Sequence, residues 1–540
     1  MGSKDDTPAV AVADTQHVDV AHDDYNDNNN DPSPGILQVL WRHPMILVCC
    51  LYANVGSLMY GFDNLSLSLC LSMAPFVEDF GIMVDGAYVV PAYWQSLWNA
   101  LPQLMTGIGA WGAGPLADRF GRRAAFVAAG CLSAAGVAVV YTASTRSVFL
   151  GGKMVNALGL GMALTTGQIY IAEIAPLKFR GIALSIYTFT MNLGYLVAAS
   201  VAFDRVTIPN ASSYKVLFAS EWVWPGLMIL GVLLVPETPY HLARKGKLAA
   251  TTKSLQFLYG KKTPTAPILA AISTTLAHEE QEERLGGDNA DTSFRACFRG
   301  IHARRTRIVL YCNGLSQMIG ATFMANAPYF MVSAGLAPTK VAMMIELGIG
   351  LAIVGSAFTF ATIPHVGRRK LMLGGLVLAA TLFLIMGVAS SVPNPTAPTP
   401  LWCTGISLQL VWLCMGPVVG PAMAIAGEVS AVRLRAKTAA LGFFFNYAYS
   451  TVWNVVVPYM YNTDAGNLQG KTGWIFCATC LISLVVVWFE VPELKDLSFA
   501  EIDERFALRV KTRAFKTWKD EAPAPSKAAA MGEVELEQIE

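Results

Sequence analysis

The chain has 540 residues, 54 % of them apolar and only 14 % charged, with a net charge of +1 and a mean hydropathy of +0.44. Soluble domains carry about 25 % charged residues, so this composition excludes a soluble multidomain enzyme and points to a chain that crosses a bilayer many times. A net charge near zero supplies no field for nucleic acid, and ten cysteines are too sparse for a disulfide scaffold.

The first 33 residues are polar and acidic, with Asp5, Asp6, Asp14, Asp19, Asp23, Asp24, Asp27 and Asp31. They read as a disordered tail within a segment 1–40 and lack the basic start of a secretory signal peptide. A helix crosses about 30 Å of hydrocarbon in roughly 20 residues. Apolar stretches of that length fall near 45–68, 91–115, 124–144, 147–170, 181–203 and 216–235. A polar stretch, 236–305, contains Glu279, Glu280, Glu282 and Glu283 and reads as short helices. Six more spans follow near 306–334, 340–363, 371–391, 401–426, 438–461 and 472–491, and a polar tail runs over 492–540. The expectation is an all-α membrane protein of twelve transmembrane helices in two six-helix bundles, 41–235 and 306–491.

Orientation follows from the short loops. Arg119, Arg122, Arg123, Lys178, Arg180, Arg368, Arg369, Lys370, Arg433, Arg435 and Lys437 all follow even-numbered spans. The positive-inside rule makes those loops, both termini and the central segment cytosolic. Asn210-Ala-Ser212 then lies outside as a glycosylation acceptor, whereas Asn64-Leu-Ser66 sits within the first span. Two patterns recur. Gly121-Arg122-Arg123 after span two is matched by Gly367-Arg368-Arg369 after span eight, and Glu173-x6-Arg180 by Glu428-x6-Arg435. Matching motifs in two halves imply duplication, pseudo-symmetric bundles, a solute site at midplane between them and alternating access.

Several motifs resemble the major facilitator superfamily and, within it, the sugar porters. They are Gly114-Pro-Leu-Ala-Asp-Arg-Phe-Gly-Arg-Arg123, Gly61-Phe62-Asp63, Tyr170-Ile-Ala-Glu173-Ile-Ala-Pro176 with Arg180-Gly181, Pro236-Glu237-Thr238-Pro239, and Pro492-Glu-Leu-Lys495 with Glu501-Ile-Asp503. The resemblance covers about 45–507. Glu221-Trp-Val-Trp-Pro225, Ala243-Arg-Lys-Gly-Lys247, Gly427-Glu-Val-Ser430 and Gly470-Lys-Thr-Gly473 are similar to the fungal maltose and α-glucoside permeases. Departures are also plain. Gln168 stands where sugar porters have proline, Thr188 where they have glutamine, Thr322 where they have asparagine, and Gly420 where hexose porters have tryptophan.

A carboxylate at bilayer depth needs a partner. Asp63 is therefore the candidate for proton coupling, a role the resemblance implies. Lys153, in the position of the family's arginine, is its expected partner. Glu221 and Glu346, near outer span ends, read first as solvated interfacial residues and second as a further proton or ligand site. Hydroxylated solutes need amides, hydroxyls and aromatic faces. The candidates are Gln168, Tyr187, Thr188, Asn192, Gln317, Thr322, Asn326 and Asn446, with Trp453. Asp118 with Arg122, Glu173 with Arg180, and Glu428 with Arg433 or Arg435 form an expected cytosolic gate. No metal ligand set or nucleophile constellation is read. Gly466-Asn-Leu-Gln-Gly470-Lys-Thr472 fails the phosphate-loop spacing, so the chain is expected to be no enzyme, with a proton gradient rather than a cofactor as energy source. Its partners are expected to be a small solute, protons and lipid, in a monomer at the plasma membrane or the vacuolar membrane. Three readings stay open: proton-coupled symport of an α-glucoside or hexose, transport or export of another small organic solute such as a fungal secondary metabolite, and a non-transporting sugar sensor.

Overall fold

The computed structural model describes residues 44–84, 86–175, 177–260, 263–285, 294–392, 398–430, 434–462, 464–495, 497, 499–516 and 518, without the side chains of 84, 87, 177–185, 278–285, 364, 398, 435–436, 499 and 500. The chain divides into two compact units, 1–291 with 338–342 and 292–337 with 343–540.

In the first unit, α1 (Pro44–Ala53) and α2 (Val55–Leu71) form one span with a break at Asn54. A short α3 (Ala74–Phe80) leads into a two-stranded antiparallel hairpin, β1 (Ile82–Val84) and β2 (Ala87–Val89), in register Ile82 to Val89. Then come α4 (Ala92–Phe120), α5 (Arg122–Thr142), α6 (Arg146–Ile174) and α7 (Leu177–Phe203). The next span is built from α8 (Ser212–Glu221) and α9 (Val223–Gly231). The polar stretch holds α10 (Pro239–Arg244), α11 (Leu248–Tyr259) and α12 (Ala266–Leu285). The second unit opens with α13 (Gly300–Met318), which starts inside the predicted loop and stops where Gly320 takes a left-handed turn at φ 82°. The apolar run there continues as the short α14 (Ala321–Ala325) and α15 (Ala327–Ser333). It is followed by α16 (Pro338–Val366), α17 (Arg368–Ala389), α18 (Pro398–Val429), α19 (Arg435–Tyr461) and α20 (Thr472–Glu490). The predicted tail boundary at 492 falls just before a packed stretch. There α21 (Phe499–Ala507) rests on α13 through an Arg305–Asp503 ion pair, and Arg304 donates to the Val510 carbonyl at 2.9 Å.

Among the described residues, ten helical stretches are long and apolar enough to cross a membrane. Of the twelve predicted spans, the two missing from that set are α4 and α19. Their lengths of 29 and 27 residues reach about 40 Å at 1.5 Å per residue, so length is not the reason. They carry amides instead: Gln95, Asn99 and Gln103 on α4, and Asn446 and Asn454 on α19.

Packing repeats between the units. In the first, α5 and α4 lie along α6, α2 lies along α7, and α9 meets α5. In the second, α17 lies along α18 and α20, and α13 along α19 and α18. The α5–α6 approach is close because Gly136 has no side chain; a Cβ there would overlap the Asn156 backbone. One end of the first unit is filled by edge-to-face rings: Phe76 lies 6.0 Å from Trp98, 5.6 Å from Phe149 and 5.3 Å from Tyr214. Such pairs add about 0.5–1.5 kcal/mol each beyond their buried area.

The other end of the unit is set by a glycine turn. Gly121 joins α4 to α5 at φ 98°, ψ 162°, a region essentially closed to side chains. A Cβ there would meet the Glu237 carboxylate, with its Cδ at 3.0 Å. Gly121→Ala is therefore expected to cost about 1–3 kcal/mol, measured as a lower melting temperature of the purified protein; an unchanged melting temperature would contradict this account of the turn.

Candidate functional site

Three buried charged residues of the first unit meet, with one amide, in a single cluster. Asp63 comes from the middle of α2, Lys153 and Asn156 from one face of α6, and Glu221 from the last residue of α8. They are 7 %, 3 %, 1 % and 3 % exposed. Lys153 Nζ lies 2.5 Å from Asp63 Oδ1. The Asn156 amide donates to Asp63 Oδ1 at 2.9 Å and to Glu221 Oε1 at 2.7 Å. Its own oxygen accepts from Ser133 Oγ of α5 at 2.6 Å. Residues 153 and 156 are three apart, which places them on the same helical face. Glu221 is thus not the solvated interfacial residue the sequence suggested: the break between α8 and α9 turns it inward. Glu346 is half-buried on α16.

Beside this cluster a polar pocket opens between α2, α4 and α6, lined by Tyr60, Asp63, Asn64, Asn99, Gln103, Thr106 and Lys153 among others. The Gln103 amide donates to Tyr60 Oη at 3.3 Å, and the Asn64 amide to Tyr195 Oη at 2.9 Å. The Gln103 contact gives the polar face of α4 a partner within the bundle. Trp98 is fully buried and also lines the pocket.

The solute candidates fall in both units. Gln168 lies half-buried on α6; on α7, Tyr187 and Thr188 are half-buried and Asn192 is buried. In the second unit Gln317, Thr322 and Asn326 gather around the Gly320 turn. There the Thr322 hydroxyl donates to Gln317 Oε1 at 2.6 Å, and the Asn326 amide to the Thr322 carbonyl at 2.9 Å. Asn446 donates to the Asn313 carbonyl at 2.5 Å, and the Trp453 ring centre lies 5.1 Å from that of Phe476. Asn210 is exposed in the turn before α8.

Of the charged gate residues, Asp118 meets Arg122 as expected, whereas Glu173 and Glu428 meet other arginines than those expected. Arg122, 3 % exposed, binds Glu173 Oε1 at 2.6 Å and Asp118 Oδ1 at 3.0 Å. The Asp118 side chain is largely exposed, so that contact is worth little, whereas removing one partner of a buried pair costs about 3–5 kcal/mol. The carboxylate expected to meet Arg180 therefore meets Arg122; the Arg180 side chain lies outside the described residues. In the second unit Glu428 Oε1 binds Arg368 at 2.6 Å. Its expected partners do not enter, since Arg433 and the side chain of Arg435 also lie outside the described residues. Sequence spacing along one loop favoured neighbours, but helix ends brought together by packing supplied the cations.

Two acids not read as site residues complete this arrangement. Glu237 accepts from the backbone N–H of Arg122 at 2.8 Å and of Arg123 at 3.2 Å, capping the start of α5. Glu493 does the same for Arg368 and Arg369 at the start of α17, both at 3.1 Å. The signal was available: each follows a proline just after a sixth span of its half. Asn156 was missed as well, though a lone amide in an apolar span one turn from a lysine was its cue.

His241 on α10 closes the first network, with Arg122 NH1 donating to its Nδ1 at 2.7 Å. The imidazole must be neutral there to accept. Burial, then the adjacent Arg122 guanidinium, hold its pKa below the ordinary value. Between that ordinary value and the lowered one, the unfolded chain binds a proton that the folded chain refuses, so stability falls as pH falls through the window. Acidification from about pH 7.5 to 5.5 should lower the melting temperature of the purified protein more than that of His241→Gln, which keeps an acceptor. Identical slopes would exclude the imidazole as the titrating group.

Comparison with known proteins adds the following. A family model described as "Sugar (and other) transporter" matches residues 49–506. An Aspergillus fumigatus protein, MFS transporter fmqE, is 29 % identical over 86 % of this chain and 87 % of its own. The general alpha-glucoside permease of Saccharomyces cerevisiae is 25 % identical over 92 % of this chain and 81 % of its own. A structure of the xylose transporter XylE from E. coli superposes with a TM-score of 0.66 at 19 % identity, covering 84 % of this chain and all of that one.

Proposed function

The chain belongs to the sugar (and other) transporter family of the major facilitator superfamily, a multi-pass membrane transporter, and from that premise we propose that it is a proton-coupled sugar symporter working by alternating access, with an α-glucoside or hexose as solute. The observation that carries this reading is the buried Asp63–Lys153 pair, with Nζ and Oδ1 2.5 Å apart. A carboxylate held at bilayer depth is costly unless it is compensated. Protonating Asp63 removes its charge and releases Lys153, so proton binding and helix arrangement are linked. The pocket beside the pair gives water and a hydroxylated solute polar partners. The α-glucoside permease among the fungal relatives supports the solute class. In this reading both termini are cytosolic, the plasma membrane is the location, and Gln317 is the leading sugar contact of the second unit. The pairs of Arg122 with Glu173 and Arg368 with Glu428 bias the two access states.

A second reading, transport or export of another small organic solute, is favoured by one contact. Thr322 occupies the Gln317 carbonyl, leaving that amide its N–H donors but engaging its acceptor.

The test is uptake of radiolabelled maltose and glucose in transporter-null yeast at about pH 5 and pH 7, with Asp63→Asn compared at equal surface expression. Uptake should be faster at the lower pH and fall about tenfold or more in the variant, as expected when a buried pair loses its acidic partner. A well-expressed wild type that takes up neither sugar would exclude these solutes in favour of the second reading.

A further inference from the structure

The α20 helix ends in a cluster of rings and guanidinium groups. Along it Leu481, Ile482, Val485 and Phe489 recur at helical spacing and are 52 %, 58 %, 53 % and 60 % exposed. The second unit thus leaves one face of this helix bare and apolar, the character of a surface that meets hydrocarbon. The stripe stops at Trp488 and Phe489, and aromatic rings at a span end mark the headgroup level. The Arg513 guanidinium lies 5.2 Å from the Trp488 ring centre and 5.1 Å from that of Phe489. The Arg369 guanidinium, from the first turn of α17, lies 5.3 Å from the same Trp488 ring. Arg369 also donates to the Trp488 carbonyl at 2.6 Å, which satisfies an acceptor in the last turn of α20.

Arg513 is held in place from behind. Arg304 donates to the Val510 carbonyl at 2.9 Å and to Thr512 Oγ1 at 2.8 Å, and its guanidinium lies 5.8 Å from the buried Phe515 ring. The segment pinned in this way, Arg509-Val-Lys-Thr-Arg-Ala-Phe-Lys516, carries four cations and no acid. Two acids stand at the same end of α20, and both are occupied. Glu490 pairs with Arg307 at 2.7 Å, and Glu493 accepts from the backbone N–H groups of Arg368, Arg369 and Lys495. Among the described residues no carboxylate forms an ion pair with Arg369 or Arg513.

We propose that Arg369 and Arg513, at the Trp488–Phe489 end of α20, bind the phosphate of an anionic phospholipid whose acyl chains lie along the apolar face of the same helix. Two guanidinium groups beside one indole repel each other, and a phosphate between them replaces that repulsion with charge-assisted hydrogen bonds. A phospholipid fits better than a soluble anion because the cations begin where the apolar stripe ends, so one molecule covers both. In the orientation proposed above this end of α20 is cytosolic, the side on which anionic lipids are enriched. The headgroup also ties the segment 509–516 to the bundle, since one cation comes from that segment and the other from α17. The inference depends neither on the solute nor on proton coupling.

The test is lipid binding to the purified full-length protein in detergent, followed by native mass spectrometry with phosphatidylserine and phosphatidylcholine as probes. Phosphatidylserine should bind about tenfold or more tightly than phosphatidylcholine. Arg513→Gln should weaken phosphatidylserine about fivefold, as the loss of one cation near the membrane surface implies, and leave phosphatidylcholine unchanged. Arg513 is exposed, so this variant should keep its melting temperature; Arg369→Gln gives a second reading. Arg513→Lys, which keeps the charge but loses the planar fork, should fall between. Lys471→Gln, which removes an exposed cation at the other end of α20, should change nothing. Equal affinity for the two lipids, or phosphatidylserine binding unchanged in both arginine-to-glutamine variants, would overturn the proposal. So would displacement of phosphatidylserine by excess inorganic phosphate, the sign of a soluble-anion site. Dimers that exclude phosphatidylserine would assign the face to a second copy of the chain and overturn it as well.

Discussion

Hydrocarbon has no way to solvate a charge, and much of the first unit is arranged around that constraint. Asp63, Lys153 and Glu221 are ionisable groups, and an ionised side chain is costly alone at bilayer depth. Their mutual placement requires α2, α6 and α8 to hold definite positions relative to one another. Gly136 lets α5 lie close enough to α6 for Ser133 to reach Asn156, and the break after Glu221 turns that acid inward. Buried ion pairs of this kind contribute little net stability. Their effect is on which helix arrangements are tolerated, which suits a protein whose activity consists of changing arrangement.

The Arg122 end of the unit uses a different device for the same problem. A helix start leaves backbone N–H groups unpaired, and arginines there add positive charge. Glu237 answers the backbone of Arg122 and Arg123, while Glu173 and His241 answer the Arg122 guanidinium. The second unit repeats the device with Glu493, Glu428, Arg368 and Gly367. The copies differ at one point: nothing described in the second copy stands in the place of His241, so acid sensitivity is expected in the first network only.

Hydropathy alone undercounts this architecture. α4 and α19 each carry several amides, and these find partners: Gln103 with Tyr60, and Asn446 with the Asn313 carbonyl. A polar helix inside a membrane bundle is tolerated when its neighbours satisfy it. The same polarity that hides α4 from a hydropathy criterion lines the pocket beside Asp63.

Twelve spans, the tandem motifs and the pairing of Asp63 with a lysine about 90 residues away were legible in the residues, because charge at bilayer depth is rare and must be compensated. Helix breaks at Asn54, Trp222 and Gly320 were not, since an apolar run reads the same whether its backbone is continuous or interrupted. Nor could spacing say that Glu173 and Glu428 take Arg122 and Arg368 as partners, because those contacts join helix ends far apart in the chain. Asn156 and Glu221 show the division most clearly. By residue type they are an amide in an apolar span and an acid near a span end. Only packing, by bringing α2, α6 and α8 within hydrogen-bond reach, made them one cluster with Asp63.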